Sequence, residues 1–345
     1  MTRAPLRVAI IGAGLMGRIH AEVARNSGGR VIAVVDPDGE AARQLAGGAG
    51  ARSMTRDELL AGGVADVVHV CTPPDSHAKE CESALRAGMH VICEKPMTQT
   101  AAELEALFEL AQSNDLLVCP VHQFPMQDGV KQIRAAHASL GRIRHIAAEI
   151  CTAGADAASS EARHQIALDI LPHPLSLSAA LDAAPLSRAQ WSVAVSAPGE
   201  MIVTGVSGEI LLSYLISTRG RPTSNLVRVI GESGTATADL YHGYSYIESG
   251  AVSRIRKATR PFAASGLAFG SAAVNGIKRA LEGETAFPGL RNLVKGFYEA
   301  IGNRGLPPIT PSECLDIARA RDTIVALSSS GLSQAQSRSG AVSSR

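Results

Sequence analysis

At 345 residues and 46% apolar content, the chain is long enough for about two domains. Its 33 basic and 32 acidic side chains nearly cancel, which excludes the polycationic surface of a nucleic-acid or membrane binder. Aromatics are only 3%, so the cores must rest on Ala, Val, Ile and Leu.

The first elements alternate strand and helix. Leu6–Ile11 is a β-branched run ending in glycine, Leu15–Asn26 reads as a helix, and Val31–Val35 is a strand ending at Asp36. Glu40–Ala46 and Arg56–Ala61 look helical. Val67–Cys71 is a buried strand followed by the turn Thr72-Pro73-Pro74. Ser76–Ala87 is helical and stops at Gly88, and the strand His90–Cys93 is broken by Glu94-Lys95-Pro96. Helix Ala101–Ser113 and strand Leu116–Val121 complete the series. Such alternation predicts an α/β fold, a doubly wound parallel sheet with right-handed crossovers, over residues 1–122.

After Gly141 the pattern changes. Ile143–Thr152, Trp191–Ser196, Met201–Val206, Ile210–Ser217, Leu226–Ile230 and Thr235–Leu240 are strand-like runs with turn signals between most of them. They predict an α+β domain over 123–330 with an open, mainly antiparallel sheet. Helices are expected at Glu161–Leu181, 266–302 and Pro311–Ser328, and a disordered polar tail at 331–345. The six cysteines form no CxxC pair and read as reduced, packed thiols. With no secretory or membrane-spanning signal at the N-terminus, they predict a cytoplasmic protein without a metal site.

Residues 12–17, Gly12-Ala13-Gly14-Leu15-Met16-Gly17, form a phosphate-binding loop between a strand and a helix. Gly12 permits the turn, Gly14 lets backbone N–H groups approach a pyrophosphate, and Gly17 lets the helix pack against the sheet. Asp36, at the end of the next strand, is placed to accept hydrogen bonds from an adenine ribose and to repel a 2′-phosphate, favouring NAD over NADP. The bland alternatives are a ligand-free glycine turn and an aspartate that only caps a helix.

With His20, Cys71-Thr72-Pro73-Pro74, His77 and Glu94-Lys95-Pro96 added to that loop, the first 125 residues resemble the glucose–fructose oxidoreductase, inositol dehydrogenase and rhizopine-catabolism family. The second half is similar mainly in topology. The resemblance implies an NAD(P)-dependent dehydrogenase or reductase of sugars, cyclitols or nucleotide sugars. It also implies a homo-oligomer, dimer or tetramer, formed through the C-terminal sheet. Cofactor contacts are implied for Gly12, Gly14, Leu15, Met16, Gly17, Asp36, Cys71, Thr72, Pro73, His77, Glu94 and Lys95. Lys95 corresponds to the family's lysine, and Asp169 and His173 to its Asp-x-x-x-His pair. His122 and Gln123 stand where a loop faces substrate.

Oxidising a secondary alcohol requires a hydride acceptor, a base for the hydroxyl proton and positive charge near the oxygen. Lys95, just past a strand's C-terminal end, is suited to the oxygen; His173 to acid/base exchange; Asp169 to holding the substrate or Lys95. Four residues apart, Asp169 and His173 share a face if the segment is one helix. Pro172 and Pro174 flank His173, so the helix must start near Asp169 or kink. The segment Arg163–Leu168 and Ser176 depart from the family pattern. Two alternatives therefore stay open: an NAD-retaining glycosidase working by transient oxidation, and a non-catalytic NAD-binding sensor or partner subunit. Arg219-Gly220-Arg221 could meet a substrate phosphate. His69, on an apolar strand, reads as a core histidine.

Overall fold

Continuous β-branched runs build the first sheet, and its central strands are buried along their length. In the computed structural model, residues 4–181, 185–250, 253–282, 287 and 289–342 are described. They divide into two units: one runs to His122 and includes Leu290–Ala318; the other is Gln123–Gly289 with Arg319 onward.

In the first unit the order is β1 (Arg7–Ile11), α1 (Leu15–Asn26), β2 (Arg30–Val35), α2 (Gly39–Ala49), β3 (Arg52–Ser53), α3 (Arg56–Leu60), β4 (Val67–Val70), α4 (Pro74–Arg86), β5 (His90–Cys93), α5 (Ala101–Ser113) and β6 (Val118–Pro120). The strands pair in the order β3-β2-β1-β4-β5-β6, every pair parallel. That is the doubly wound arrangement, with its switch between β1 and β4. Val8, Ala9, Ile10, Val67, Val68, Val91 and Ile92 are fully buried, as a sheet covered on both faces demands. Helix starts are specified locally: Thr55 with Glu58, and Thr100 with Glu103, form reciprocal capping boxes.

Three expectations are corrected here. Leu290–Ala318, expected in the second domain, belongs to this unit, and its helix Leu290–Asn303 buries Leu293, Val294 and Phe297. The two-residue strand β3 is too short to leave a periodic signal. The last helix runs from Pro311 to Val342, past the expected end at Ser328; its Ser, Gln and Ala residues include no proline to stop it. The tail expected to be disordered is thus helical to Val342, and residues 343–345 lie outside the described residues.

The second unit contains α6 (Asp128–Ala135), α7 (His137–Leu140), β7 (Ile143–Cys151), α8 (Ser160–Ile170), α9 (Pro172–Ala180), β8 (Gln190–Ala197), β9 (Glu200–Ser207), β10 (Ile210–Ser217), β11 (Ser224–Gly231), β12 (Gly234–Asp239), β13 (Tyr244–Ser249) and α10 (Arg254–Glu282). Its sheet order is β13-β12-β11-β7-β10-β9-β8, antiparallel except for the β7–β10 pair. β13 was not expected, because aromatic and polar residues fill it without strict alternation. The helix expected over Glu161–Leu181 is two helices, α8 and α9, meeting at Leu171 just before Pro172. Proline has no N–H for the continuing ladder and tolerates only a first helical position. α10 begins at Arg254, well before the expected residue 266.

β9 alternates buried and exposed residues, so one face of this sheet is open. Across β9 and β10 that face carries cross-strand apolar pairs: Leu211 (55% exposed) opposite Val206 (41%), and Leu215 opposite Ile202, both 42%. No helix among the described residues is long and apolar enough to cross a membrane.

Candidate functional site

The glycine loop is built by steric exclusion on two sides and openness on the third. Gly12 has φ +101°, and a Cβ on it would stand 2.6 Å from the Cys71 carbonyl oxygen. A Cβ on Gly17 would stand 1.9 Å from the Gly12 oxygen, so the helix can cross the strand only with glycine there. A Cβ on Gly14 would meet nothing within 4 Å. Gly14 is also the N-cap of α1 and offers no side-chain acceptor. The start of α1 at Gly14 is thus left open, with the free N–H groups of its first turn at the positive end of the helix dipole, an arrangement that could hold a diphosphate.

Asp36 closes the loop from the neighbouring strand. Its Oδ2 accepts the Ala13 N–H at 2.6 Å and its Oδ1 the Asp38 N–H at 2.8 Å. The cap of α2 is Asp38, which accepts the Glu40 and Ala41 N–H groups, so Asp36 is not the helix cap. A carboxylate has lone pairs beyond these two bonds, and Asp36 remains partly exposed beside the loop. The residues present fit a dinucleotide.

The other cofactor-side residues follow the C-terminal ends of adjacent parallel strands. Cys71, Thr72 and Pro73 follow β4, Glu94 and Lys95 follow β5, and His122 follows β6. His77 ties two of these turns together: its Nε2 lies 2.6 Å from the Thr72 oxygen and its Nδ1 2.7 Å from the Pro96 oxygen. The Lys95–Pro96 peptide is cis. His122 is buried, and its Nδ1 has no hydrogen-bond partner among the described residues. Burial, with the Lys95 charge adding to it, lowers its pKa to about 4, so the ring is neutral at pH 7.

Behind this edge lies a buried polar chain. Glu94 Oε1 is 3.1 Å from His20 Nε2; His20 Nδ1 is 2.9 Å from His69 Nδ1; His69 Nε2 is 2.8 Å from the Tyr298 hydroxyl. Both histidines are fully buried, and the Glu94 side chain is 12% exposed. Burial alone would neutralise His20, but the neighbouring Cys71 and the Glu94 carboxylate outweigh it and raise its pKa to about 10. Cys71 is itself pushed up by burial, so Glu94 carries the compensating charge at neutral pH. Burial opposes the charge on Glu94 as well, yet His20 and Lys95 leave its pKa below the usual carboxylate range. His69, desolvated and beside charged His20, is held neutral. Its reading as a satisfied core histidine stands, but the chain it completes was not foreseen. His20 lies three residues after Gly17, on the same face of α1, which is the one signal that could have placed it against the sheet.

The remaining candidates belong to the second unit. Asp169 ends α8, where it accepts Gln165 Nε2–H at 2.9 Å. His173 enters α9, buried, and stacks on Phe124 with ring centroids 4.2 Å apart and planes 21° from parallel. The two residues are thus on separate helices, which removes the expected single face. Phe124 is itself buried and is the platform under His173. Gln123 is buried, with its Oε1 unpartnered among the described residues. Arg221 is committed to Asp156. Arg163 bonds the backbone oxygens of Ala155 and Asp156 at 3.1 and 3.0 Å. Lys95 lies in the first unit, and Asp169 and His173 in the second.

Residues 6–122 match the profile of an oxidoreductase family with an NAD-binding Rossmann fold, the family of glucose–fructose oxidoreductase, inositol dehydrogenase and rhizopine catabolism. Inositol 2-dehydrogenase of Rhizobium meliloti (strain 1021) is 37% identical over 106 residues, which is 30% of this chain and 32% of the relative. UDP-N-acetylglucosamine 3-dehydrogenase of Acidithiobacillus ferrooxidans is 30% identical over 144 residues, 42% of this chain and 45% of the relative. The aligned stretch therefore spans less than half the length of these relatives. The fold likeness reaches much further. A solved structure of the Acidithiobacillus enzyme superposes with a TM-score of 0.76 at 19% identity, covering 96% of this chain and all of that one. A levoglucosan dehydrogenase solved with NADH and levoglucosan gives 0.75 at 17% identity, covering 95% and 98%.

Proposed function

We propose that the chain is an NAD-dependent oxidoreductase that moves a hydride between nicotinamide and a secondary hydroxyl or keto group of a sugar, cyclitol or nucleotide sugar. One observation carries it. The open glycine loop, Asp36, the Thr72-Pro73 turn, Lys95 and His122 follow the C-terminal ends of neighbouring parallel strands, where such sheets bind dinucleotides. The names of the relatives, an inositol and a nucleotide-sugar dehydrogenase, support the substrate class. Bound NAD would be held by the Gly14–Gly17 amides and Asp36, and would supply the hydride acceptor. In this reading Lys95 holds the reacting oxygen, His173 exchanges its proton, and Asp169 orients the substrate. Gln123 and neutral His122 offer further hydrogen bonds. NAD is favoured over NADP because Asp36 stands where a 2′-phosphate would meet a carboxylate.

The test is NADH formation by the purified protein with a panel of sugars, cyclitols and nucleotide sugars. Turnover on a polyol is expected. NAD binding without turnover on any panel member would refute the dehydrogenase reading and favour a sensor; hydrolysis of a glycoside with NAD retained and no net NADH would favour the glycosidase.

A cytoplasmic location is part of the same proposal, supported by six free, buried cysteines. So is a homo-oligomer through the open face of the second sheet, supported by its exposed cross-strand apolar pairs. Replacing Leu211 and Leu215 together by Asp should shift the sedimentation coefficient toward a smaller species, and an unchanged value would remove that face from the contact.

A further inference from the structure

The chain Glu94–His20–His69–Tyr298 has more order than a buried polar cluster needs. Its members come from four places: the turn after β5, α1, β4 and the helix Leu290–Asn303. Each contact is 2.8 to 3.1 Å long. Between the two Nδ1 atoms there is room for one proton, and this constrains the rest. If His20 donates that proton, His69 accepts it and donates through Nε2 to the Tyr298 oxygen, while His20 Nε2–H donates to Glu94. Both rings and Glu94 are then paired, and His20 is an imidazolium facing a carboxylate. If His69 donates instead, Tyr298 must donate to His69, and Glu94 becomes a buried anion opposite a neutral ring. In the first arrangement the buried carboxylate meets the His20 charge as well as that of Lys95, in the second only that of Lys95, so the first is favoured. The other titratable groups facing these rings are Cys71, beside His20, and Lys95, beside Glu94. Glu94 Oε2 also accepts the Lys95 backbone N–H at 3.1 Å. The chain therefore ends on the backbone from which Lys95 projects.

We propose that His20 is a positioning residue for the Glu94-Lys95-Pro96 turn: braced from behind by His69 and Tyr298, its ring holds Glu94 as a fixed carboxylate, and Glu94 holds Lys95 in place. This deepens the hydride-transfer reading and rests on it only for the activity arm of the test.

The experiment uses the full-length protein with ¹⁵N-labelled histidine, and the variants His20→Leu, His20→Gln and Glu94→Gln. By NMR, both ring nitrogens of His20 should stay protonated from about pH 6 to above 8. In Glu94→Gln, loss of the counter-charge should move the His20 titration downward. A His20 that titrates near 6.5 in the unmodified protein, or is neutral throughout, overturns the proposal. In activity, His20→Leu should lower kcat by about 10- to 100-fold and raise the acid limb of the pH profile by about one unit, since Glu94 then takes up a proton more readily. His20→Gln, which keeps a donor toward Glu94, should recover most of both. Equal loss of Tm in the two variants with an unmoved pH profile would reduce the chain to a structural role. If the unmodified protein turns over nothing, the proposed function fails. The NMR titrations, with NADH affinity measured against pH, would still decide the role of His20.

Discussion

The two units are specified in different ways. In the first, identity of 37% with an inositol dehydrogenase extends over 106 residues, and single atoms explain single residues. Gly17 is excluded from carrying a side chain by the Gly12 oxygen, and Asp36 is fixed by the Ala13 N–H. The likeness to solved structures, at 19% and 17% identity, extends over 96% and 95% of the chain, and in the second unit alternation of buried and exposed residues carries the fold. A sheet pattern accepts many side chains, whereas a diphosphate cradle accepts few. The difference teaches that the glycine loop is set residue by residue, whereas the second unit is set by the topology of its sheet.

The largest effect should come from the first unit. Lys95→Ala is expected to lower kcat/KM by about 10³-fold or more while NAD affinity changes only a few-fold, because the proposal gives the lysine the reacting oxygen and rests the dinucleotide mainly on the Gly14–Gly17 amides and Asp36. Turnover within tenfold of the unmodified enzyme would take Lys95 out of the chemistry. His173→Ala probes whether the second unit is equally specific. It should cost about 10²-fold and flatten the pH–rate profile near neutrality, as expected for a lost acid/base group. Phe124→Leu, which removes the ring beneath His173 but keeps bulk, should cost less and leave the profile's shape intact. If His173→Ala leaves the profile unchanged, another group is the base, and the second unit is then known only as a fold.

Legibility followed the same division. Five of the six parallel strands, the glycine loop and the Glu-Lys-Pro turn were readable because each depends on contiguous residues. β13 escaped because Tyr244, Tyr246 and Glu248 share one side with no clean apolar period. The break at Leu171 was foreshadowed by Pro172 and Pro174, but its consequence, Asp169 and His173 on separate helices, depends on how α8 ends and is not marked locally. Tyr298 was out of reach for another reason: it lies 229 residues from His69, and nothing local marks a hydroxyl as the end of a buried chain.

A pH measurement sharpens the comparison in stability. The pKa of His122 falls from an ordinary value near 6.5 to about 4 on folding, through burial first and the Lys95 charge second. Because the folded value is depressed, this contribution is fully present above about pH 6.5 and is lost as pH falls through 4; at full effect it is about 3 kcal/mol. His20 works with the opposite sign: its pKa is raised to about 10, so its share is present below about 6.5 and is lost as pH rises through 10. Urea unfolding of the protein and of His122→Gln should therefore diverge between pH 6.5 and 4, with the variant losing less. Parallel curves would show that His122 titrates normally in the folded protein.

The smallest effect should be on cofactor choice. Asp36 makes two backbone hydrogen bonds within the protein, so its carboxylate serves the loop as well as the ribose contact proposed for it. Asp36→Ala removes both functions, and would lower NAD affinity for reasons unrelated to the 2′-position. Asp36→Asn separates them: it keeps an oxygen acceptor for one of the two N–H groups while removing the negative charge. The ratio of NAD to NADP specificity constants should fall about tenfold in Asp36→Asn, roughly 1.4 kcal/mol, with Tm close to that of the unmodified protein. An unchanged ratio in both variants would mean that Asp36 only braces the glycine loop, and that selection between the two dinucleotides is made elsewhere, with Arg43 of α2 the next residue to replace.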